Sequence, residues 1–76
     1  MDLVAQLGRN VRTRRLEAGL SQEELAFSAG MKRSYLSDLE RGTRNPSVRA
    51  VGRLADALGV KAALLLSDDE GCITGR

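Results

Sequence analysis

Glycine and proline divide this chain into short pieces. Breaks at Gly19, Gly30, residues 42–46 and Gly59 leave five segments, and within the longer ones apolar residues recur every three or four positions. That spacing places them on one face of an α-helix. No stretch alternates apolar and polar residues, and the chain has no Asn-Gly or Asp-Gly turn that would favour a β-hairpin. We therefore expect an all-α fold of five helices.

The first two segments carry clear signals for helix ends. Residues 2–18 are expected to form the first helix, which stops at Gly19 because glycine adopts the left-handed conformation without strain. Its predicted inner face consists of Val4, Leu7, Val11, Ala18 and the stem of Arg15. The second helix is expected to begin at Ser21, whose hydroxyl can form a capping box with Glu24, and to end before Gly30.

Three shorter helices are expected to follow. Residues 32–41 predict a third helix with Leu36 and Leu39 facing inward. Ser47 is the expected N-cap of a fourth helix. Its predicted inner face consists of Val48, Val51, Leu54, Ala55 and Leu58. A short fifth helix is expected over residues 61–66.

The length of 76 residues allows one domain, which can bury only roughly 60% of the surface of its unfolded chain. We expect residues 1–66 to form that domain and residues 67–76 to be a polar, disordered tail. Phe27 and Tyr35 are the aromatic residues, so the core must be aliphatic. With no histidine and one cysteine, Cys72, the chain lacks the parts for zinc clusters and disulfide frameworks. Cys72 is expected to have no role.

Composition also excludes whole classes of function. Without histidine or paired carboxylates there is no evident group for general acid–base catalysis, so we expect no enzyme, no cofactor and no metal. No apolar run approaches the ~18 residues of a membrane span, and the first residues lack the basic start of a signal peptide. The expected location is the cytoplasm, with no membrane partner.

Charge is unevenly distributed along the chain. The whole sequence has a net charge of +2, but residues 32–53 hold six cations and two acids, whereas residues 67–76 are net negative. This asymmetry indicates a polyanionic partner for the middle of the chain, with a merely solvated basic face as the alternative.

The second and third segments meet the demands of two helices packed across a tight turn. Ala26 supplies the small residue at the joint, and Gly30 supplies the residue that tolerates a positive φ. Leu36 and Leu39 are expected to anchor the third helix. Its outward positions are then Lys32, Arg33, Ser34, Ser37 and Asp38.

Five stretches together resemble the lambda-repressor-like helix-turn-helix DNA-binding proteins, also called the XRE family. They are residues 19–26 (GLSQEELA), 29–30 (AG), 35–42 (YLSDLERG), 44–47 (RNPS) and 54–60 (LADALGV). Within this family, residues 33–46 are similar to the controller proteins of restriction–modification systems, although Asp38 stands where those controllers usually carry glycine.

The resemblance implies a role for each exposed position. The five outward residues of the third helix would read base edges in the major groove, and Arg33 is favoured because a guanidinium can donate two hydrogen bonds to guanine. Contacts to the DNA backbone are implied for Gln22, Tyr35, Arg41, Arg44 and Asn45. Gln22 would also contact the recognition helix, and packing of the Tyr35 ring on the domain is an equal alternative.

Two further contacts are implied. Arg15 and Glu40 would form a salt bridge between the first helix and the recognition helix. Because family members read two-fold operators as dimers, a dimer interface is expected at the end of the chain's helical part. Its residues would be Val60, Leu64, Leu65 and Leu66. Completion of the monomer core by the leucine run is the alternative.

The expected function is a sequence-specific transcriptional regulator that binds double-stranded DNA. It would act as a homodimer on an inverted-repeat operator, associate with the nucleoid when bound, and control restriction–modification genes. RNA polymerase or a toxin protein would be a further partner. The alternatives are an antitoxin-like regulator that also binds a toxin, and a helical interaction module that no longer binds DNA.

Overall fold

The computed structural model describes residues 2–67, which form five α-helices joined by short loops. The helices are α1 (Leu3–Glu17), α2 (Gln22–Ala29), α3 (Arg33–Glu40), α4 (Val48–Leu58) and α5 (Ala62–Leu65). The expected all-α architecture is therefore confirmed. Met1 and residues 68–76 lie outside the described part, and with them the expectations about a disordered tail and about Cys72. None of these five helices is long and apolar enough to cross a membrane.

Polar side chains at the N-caps fix where three helices begin. The Asp2 carboxylate accepts hydrogen bonds from first-turn amides of α1, and Ser47 Oγ accepts from the Ala50 amide at 3.0 Å. The predicted capping box of α2 is present: the Glu24 amide donates to Ser21 Oγ, and the Ser21 amide donates to Glu24 Oε1. Each cap satisfies a backbone N–H that the helix itself leaves free.

The core is aliphatic and receives side chains from all five helices. Its fully buried large residues are Val11, Leu25, Leu36, Leu39, Leu54 and Leu65. Burial of each leucine contributes about 1.5–3 kcal/mol relative to exposure. Phe27 is exposed and Tyr35 packs against the edge of the core, so neither aromatic ring fills its centre.

Two residues predicted to face inward do not. Ala18 is exposed because α1 ends at Glu17, and Leu20 from the following loop packs against the core instead. Val48 is 89% exposed, because the first residue of α4 lies beyond the core and burial on that helix begins at Ala50.

Two buried amide side chains join α1 to the end of α5. Asn10 Nδ2 donates to the carbonyls of Leu65 and Ser67 at 2.7 and 2.8 Å, and Gln6 Nε2 donates to the Ser67 carbonyl at 3.1 Å. This pair was not predicted from the sequence. Their signal was two polar residues four positions apart that interrupt the apolar stripe of α1, where only hydrogen-bonded polar groups are tolerated.

Candidate nucleic-acid interface

The joint between α2 and α3 is a sharp turn made by Gly30. Its φ of 70° lies in the left-handed region, where a side chain would be strained, and the Met31 amide donates to the Ala26 carbonyl at 2.9 Å. Ala26 is buried against the core, so its small side chain allows α3 to pack closely across α2. Gly30 and Ala26 together therefore position α3 against α2.

The start of α3 carries unpartnered positive charge. Lys32 at the N-cap and Arg33 at the first helical position are exposed, and neither forms an ion pair within residues 2–67. Ser34 is exposed beside them. Cations at this end oppose the helix dipole, whose positive pole favours anions. By contrast, α2 carries Glu23 and Glu24 in its first turn. The arrangement on α3 is unfavourable in isolation and becomes favourable when an anion approaches.

The end of α3 is fixed through Glu40. Arg15 donates from Nε to Glu40 Oε2 at 2.7 Å and from Nη2 to Oε1 at 3.0 Å, a two-point contact between α1 and α3. Gln22 Nε2 also donates to Glu40 Oε1, at 3.1 Å. The two ion-pair side chains are only 10% and 4% exposed. The structure thus contains the predicted salt bridge and brings Gln22 to the recognition helix, as the resemblance implied.

This pairing also affects the acidity of Arg15. The hydrogen bond to Glu40 raises the pKa of the Arg15 guanidinium, against the opposing effect of burial, and the charge of Glu40 adds to the increase. A further donor, Arg15 Nη1, binds the Leu20 carbonyl at 2.9 Å. The guanidinium therefore stays charged and connects α1, the following loop and α3.

A second charged cluster surrounds Asp38, in the last turn of α3. Arg41 Nη2 contacts Asp38 Oδ1, and Arg44 Nη2 lies 3.6 Å from Asp38 Oδ2. The Arg44 guanidinium also lies 4.6 Å from the centre of the Tyr35 ring, a cation–π contact. The structure thus brings together four of the predicted DNA-contacting residues, and it pairs Asp38 with the two arginines. Ser37 is half-buried beside this cluster.

Gly8 allows α1 to approach the end of α3 closely. A Cβ atom at this position would lie 2.4 Å from the Leu39 carbonyl oxygen and 3.0 Å from that of Glu40. No side chain fits there without moving α3. Gly8 was not predicted from the sequence, where its signal was a glycine inside an otherwise regular helix.

An apolar groove with a volume of about 280 Å³ lies between α1, α4 and α5. It is lined by Leu3 and Val4 of α1, by Val48 and Val51 of α4, by Ala62 and Leu66 around α5, and by Asn45. Leu3, Val48 and Leu66 are exposed there. Asn45, assigned to DNA backbone contact, is exposed in the loop before α4.

The residues assigned to a dimer interface do not share one environment. Leu65 is completely buried in the core of the single chain, and its carbonyl is bound by Asn10, so its assignment to an interface is corrected. Val60 and Leu64 are half-buried. Leu66 is 39% exposed and borders the groove.

Comparison with known proteins gives consistent matches. The helix-turn-helix family matches residues 11–65. An uncharacterized HTH-type transcriptional regulator, y4dJ of Sinorhizobium fredii, is 45% identical over 67 residues, which cover 88% of this chain and 87% of that protein.

Solved structures match over most of the chain. The hypothetical transcription factor NHTF from Neisseria is 38% identical with a TM-score of 0.93, covering 97% of this chain and 85% of that one. The restriction-modification controller protein C.AhdI from Aeromonas hydrophila is 42% identical with a TM-score of 0.80, covering 82% of this chain and 94% of that one.

Proposed function

The chain belongs to the helix-turn-helix family of DNA-binding transcription regulators, and we propose that it acts as a homodimer on an operator of two inverted half-sites. The observation that carries this proposal is the exposed, unpartnered positive charge of Lys32 and Arg33 at the N-terminal end of α3. A helix end of this kind is stabilised by a polyanion and is shaped to enter the major groove.

In this proposal the two kinds of contact are divided along the motif. Base edges are read by Lys32, Arg33, Ser34 and Ser37, whereas Asp38, which was also expected to read bases, is paired with Arg41 and Arg44 in the free chain. The DNA backbone is contacted by Gln22, Tyr35, Arg41, Arg44 and Asn45. Backbone contacts set register and affinity, whereas base contacts carry the sequence information.

The apolar groove supports pairing of two chains. Its rim exposes Leu3, Val48 and Leu66 on one side of a small domain, and a second copy would cover this surface and add stability that so short a chain otherwise lacks. Two-fold pairing would place one α3 in each of two successive major grooves, roughly 34 Å apart along the DNA.

Selection of DNA from a random-sequence pool by the full chain tests both parts of the proposal. We expect enrichment of an inverted repeat whose half-sites are one helical turn apart. Single half-sites or direct repeats would contradict the symmetric dimer, and absence of enrichment would contradict sequence-specific binding.

The likeness to C.AhdI supports a narrower role, control of restriction–modification genes. The selected operator should then lie upstream of a gene for a restriction enzyme or a DNA methyltransferase in the genome that encodes this chain. An operator beside a toxin gene would favour the antitoxin-like function instead.

The dimer is tested by placing a charge on the groove. Leu66→Glu should give folded monomers that bind the operator far more weakly, whereas Leu16→Glu, at an exposed leucine of α1 outside the groove lining, should leave pairing intact. Leu65→Glu should instead unfold the domain, because Leu65 is a core residue. Analytical ultracentrifugation at micromolar concentration measures the oligomeric state. A wild-type species of 8.2 kDa both free and on DNA would contradict the dimer.

A further inference from the structure

Asp38 bridges two arginines that are proposed to bind DNA phosphates. One carboxylate oxygen contacts Arg41, and the other lies 3.6 Å from Arg44 Nη2. Both arginine side chains are largely accessible, at 66% and 44% exposure, whereas Asp38 is 32% exposed. A carboxylate that joins two guanidinium groups presents to them the same pair of acceptor oxygens that a phosphate would present.

The surrounding loop holds this cluster in place. The Thr43 amide and hydroxyl both donate to the Asp38 carbonyl, at 3.0 and 3.1 Å, which closes the turn after α3. Arg44 is additionally held over the Tyr35 ring. The loop that carries Arg44 is therefore held next to Asp38.

We propose that Asp38 is an internal mimic of DNA phosphate, an autoinhibitory contact whose carboxylate competes with the DNA backbone for Arg41 and Arg44. The inference rests on the DNA-binding function proposed above. To contact phosphate, each arginine exchanges its bond to Asp38 for a bond to DNA, so part of the electrostatic gain is lost on every DNA sequence.

Such a contact raises the protein concentration at which DNA is occupied without changing which sequence is preferred. The base-reading end of α3 is unaffected, because Lys32 and Arg33 form no ion pair within the described residues.

The test compares Asp38→Asn with the wild type on a random-sequence duplex and on the selected operator, over a range of salt concentrations. Two exposed ion pairs are lost, so we expect binding to both duplexes to tighten about 2- to 10-fold. The slope of log affinity against log salt should steepen by up to about 0.9, because one negative charge beside the phosphates is removed.

Asp56→Asn is the matched control. Asp56 is exposed on α4, forms no ion pair within residues 2–67, and its substitution changes the net charge equally. We expect Asp56→Asn to tighten DNA binding clearly less than Asp38→Asn does. When Arg41 and Arg44 are both replaced by alanine, Asp38→Asn should tighten DNA binding no more than Asp56→Asn.

Other outcomes overturn the proposal in distinguishable ways. Weaker binding of Asp38→Asn to both duplexes would show that Asp38 positions the arginines, and weaker binding to the operator alone would make it a base reader. Equal tightening of DNA binding by Asp38→Asn and Asp56→Asn would attribute the effect to net charge alone. If the wild type bound neither duplex, the DNA-binding function itself would fail. Circular dichroism melts establish that each variant is folded.

Discussion

The two ends of α3 are built on opposite principles. At the N-terminal end, Lys32 and Arg33 are exposed and form no ion pair within the described part of the chain. At the C-terminal end, the charges of Asp38 and Glu40 are paired, with Arg41 and Arg44 in one cluster and with Arg15 in the other. The unpaired charge thus lies at the start of α3, and the paired charge lies at its end.

This difference separates the side chains that are proposed to read bases from the side chains that position α3. A base-reading side chain gains specificity only if it is free to bind DNA, since any bond made in the free protein has to be broken first. A positioning contact has to exist before binding, because the helix must already point in the right direction. Glu40 and the close contact at Gly8 supply that direction.

The largest effect is expected from breaking the paired end. Arg15→Ala or Glu40→Ala leaves one buried charge without its partner, which costs about 3–5 kcal/mol. The double substitution should cost less than the sum, since no unpaired charge remains. Urea denaturation of the four proteins, analysed as a double-mutant cycle, measures the coupling.

The matched control is the ion pair of Arg14 and Glu17, which is 3.3 Å long but 31% and 61% exposed. Arg14→Ala should cost below about 0.5 kcal/mol. Because Glu40 raises the pKa of Arg15, the stabilisation by this pair is present below the ordinary pKa of arginine and is lost only as pH rises through the still higher pKa of the folded state. The coupling energy between Arg15 and Glu40 should therefore not fall between about pH 7 and pH 10 through titration of Arg15. A coupling energy of the same size between Arg14 and Glu17 would contradict a special role for Glu40.

A second prediction alters the position of α3 without touching a charge. Gly8→Ala places a Cβ against the Leu39 carbonyl, so α1 and α3 must move apart, and overpacking of this kind costs about 1–3 kcal/mol. Gly52→Ala on α4 is the control, because nothing lies within 4 Å of its Cβ position. It should stabilise the domain by about 0.5–1 kcal/mol, since alanine favours a helix over glycine. Thermal melts of both variants check the sign; stabilisation by Gly8→Ala would contradict the close contact.

Prediction from sequence succeeded for contacts between residues that are close together in the chain. The capping box of Ser21 with Glu24 and the left-handed Gly30 were predicted correctly, because their chemistry involves residues only a few positions apart. The Arg15 contact to Glu40 spans 25 positions, and only the family resemblance implied it. Gly8 was not identified, because a glycine inside a helix indicates a close contact without showing which element makes that contact.

The residues whose positions were predicted wrongly have a common explanation, because apolar periodicity alone does not show which positions the core covers. Helix α5 has four residues, too few for apolar periodicity to separate an inner from an outer face, so Leu65 and Leu66 were given one role although only Leu66 is exposed. Val48 follows the periodicity of α4 but lies before the core begins. The pairing of Asp38 with Arg44 depends on how the loop after α3 returns, which periodicity does not describe.

The third prediction concerns the free end. Arg33→Ala should cost about 1–3 kcal/mol at the selected operator and much less on random-sequence DNA, because a bidentate base contact is lost only where the correct base is present. Arg33→Lys keeps the charge but not the two-point geometry, so it should lose operator binding and retain most random binding. Fluorescence anisotropy with both duplexes measures the ratio of the affinity for the operator to the affinity for random-sequence DNA. Equal losses on the two duplexes would make Arg33 a phosphate contact and remove the contrast between the ends of α3.

The smallest effect is expected from Arg44→Ala, at the paired end. A phosphate contact carries no base information, so binding should weaken by a similar factor on operator and random DNA, by about 2- to 5-fold for an exposed ion pair. The salt slope should fall by about 1. Arg53→Ala removes the same charge from an exposed position of α4 and serves as the control, with a smaller change in both quantities. In this variant Asp38 keeps its contact with Arg41 but loses Arg44, so the loss is the net of the phosphate contact and the ion pair that it replaces. A loss confined to the operator would place Arg44 among the base readers, and both ends of α3 would then carry sequence information.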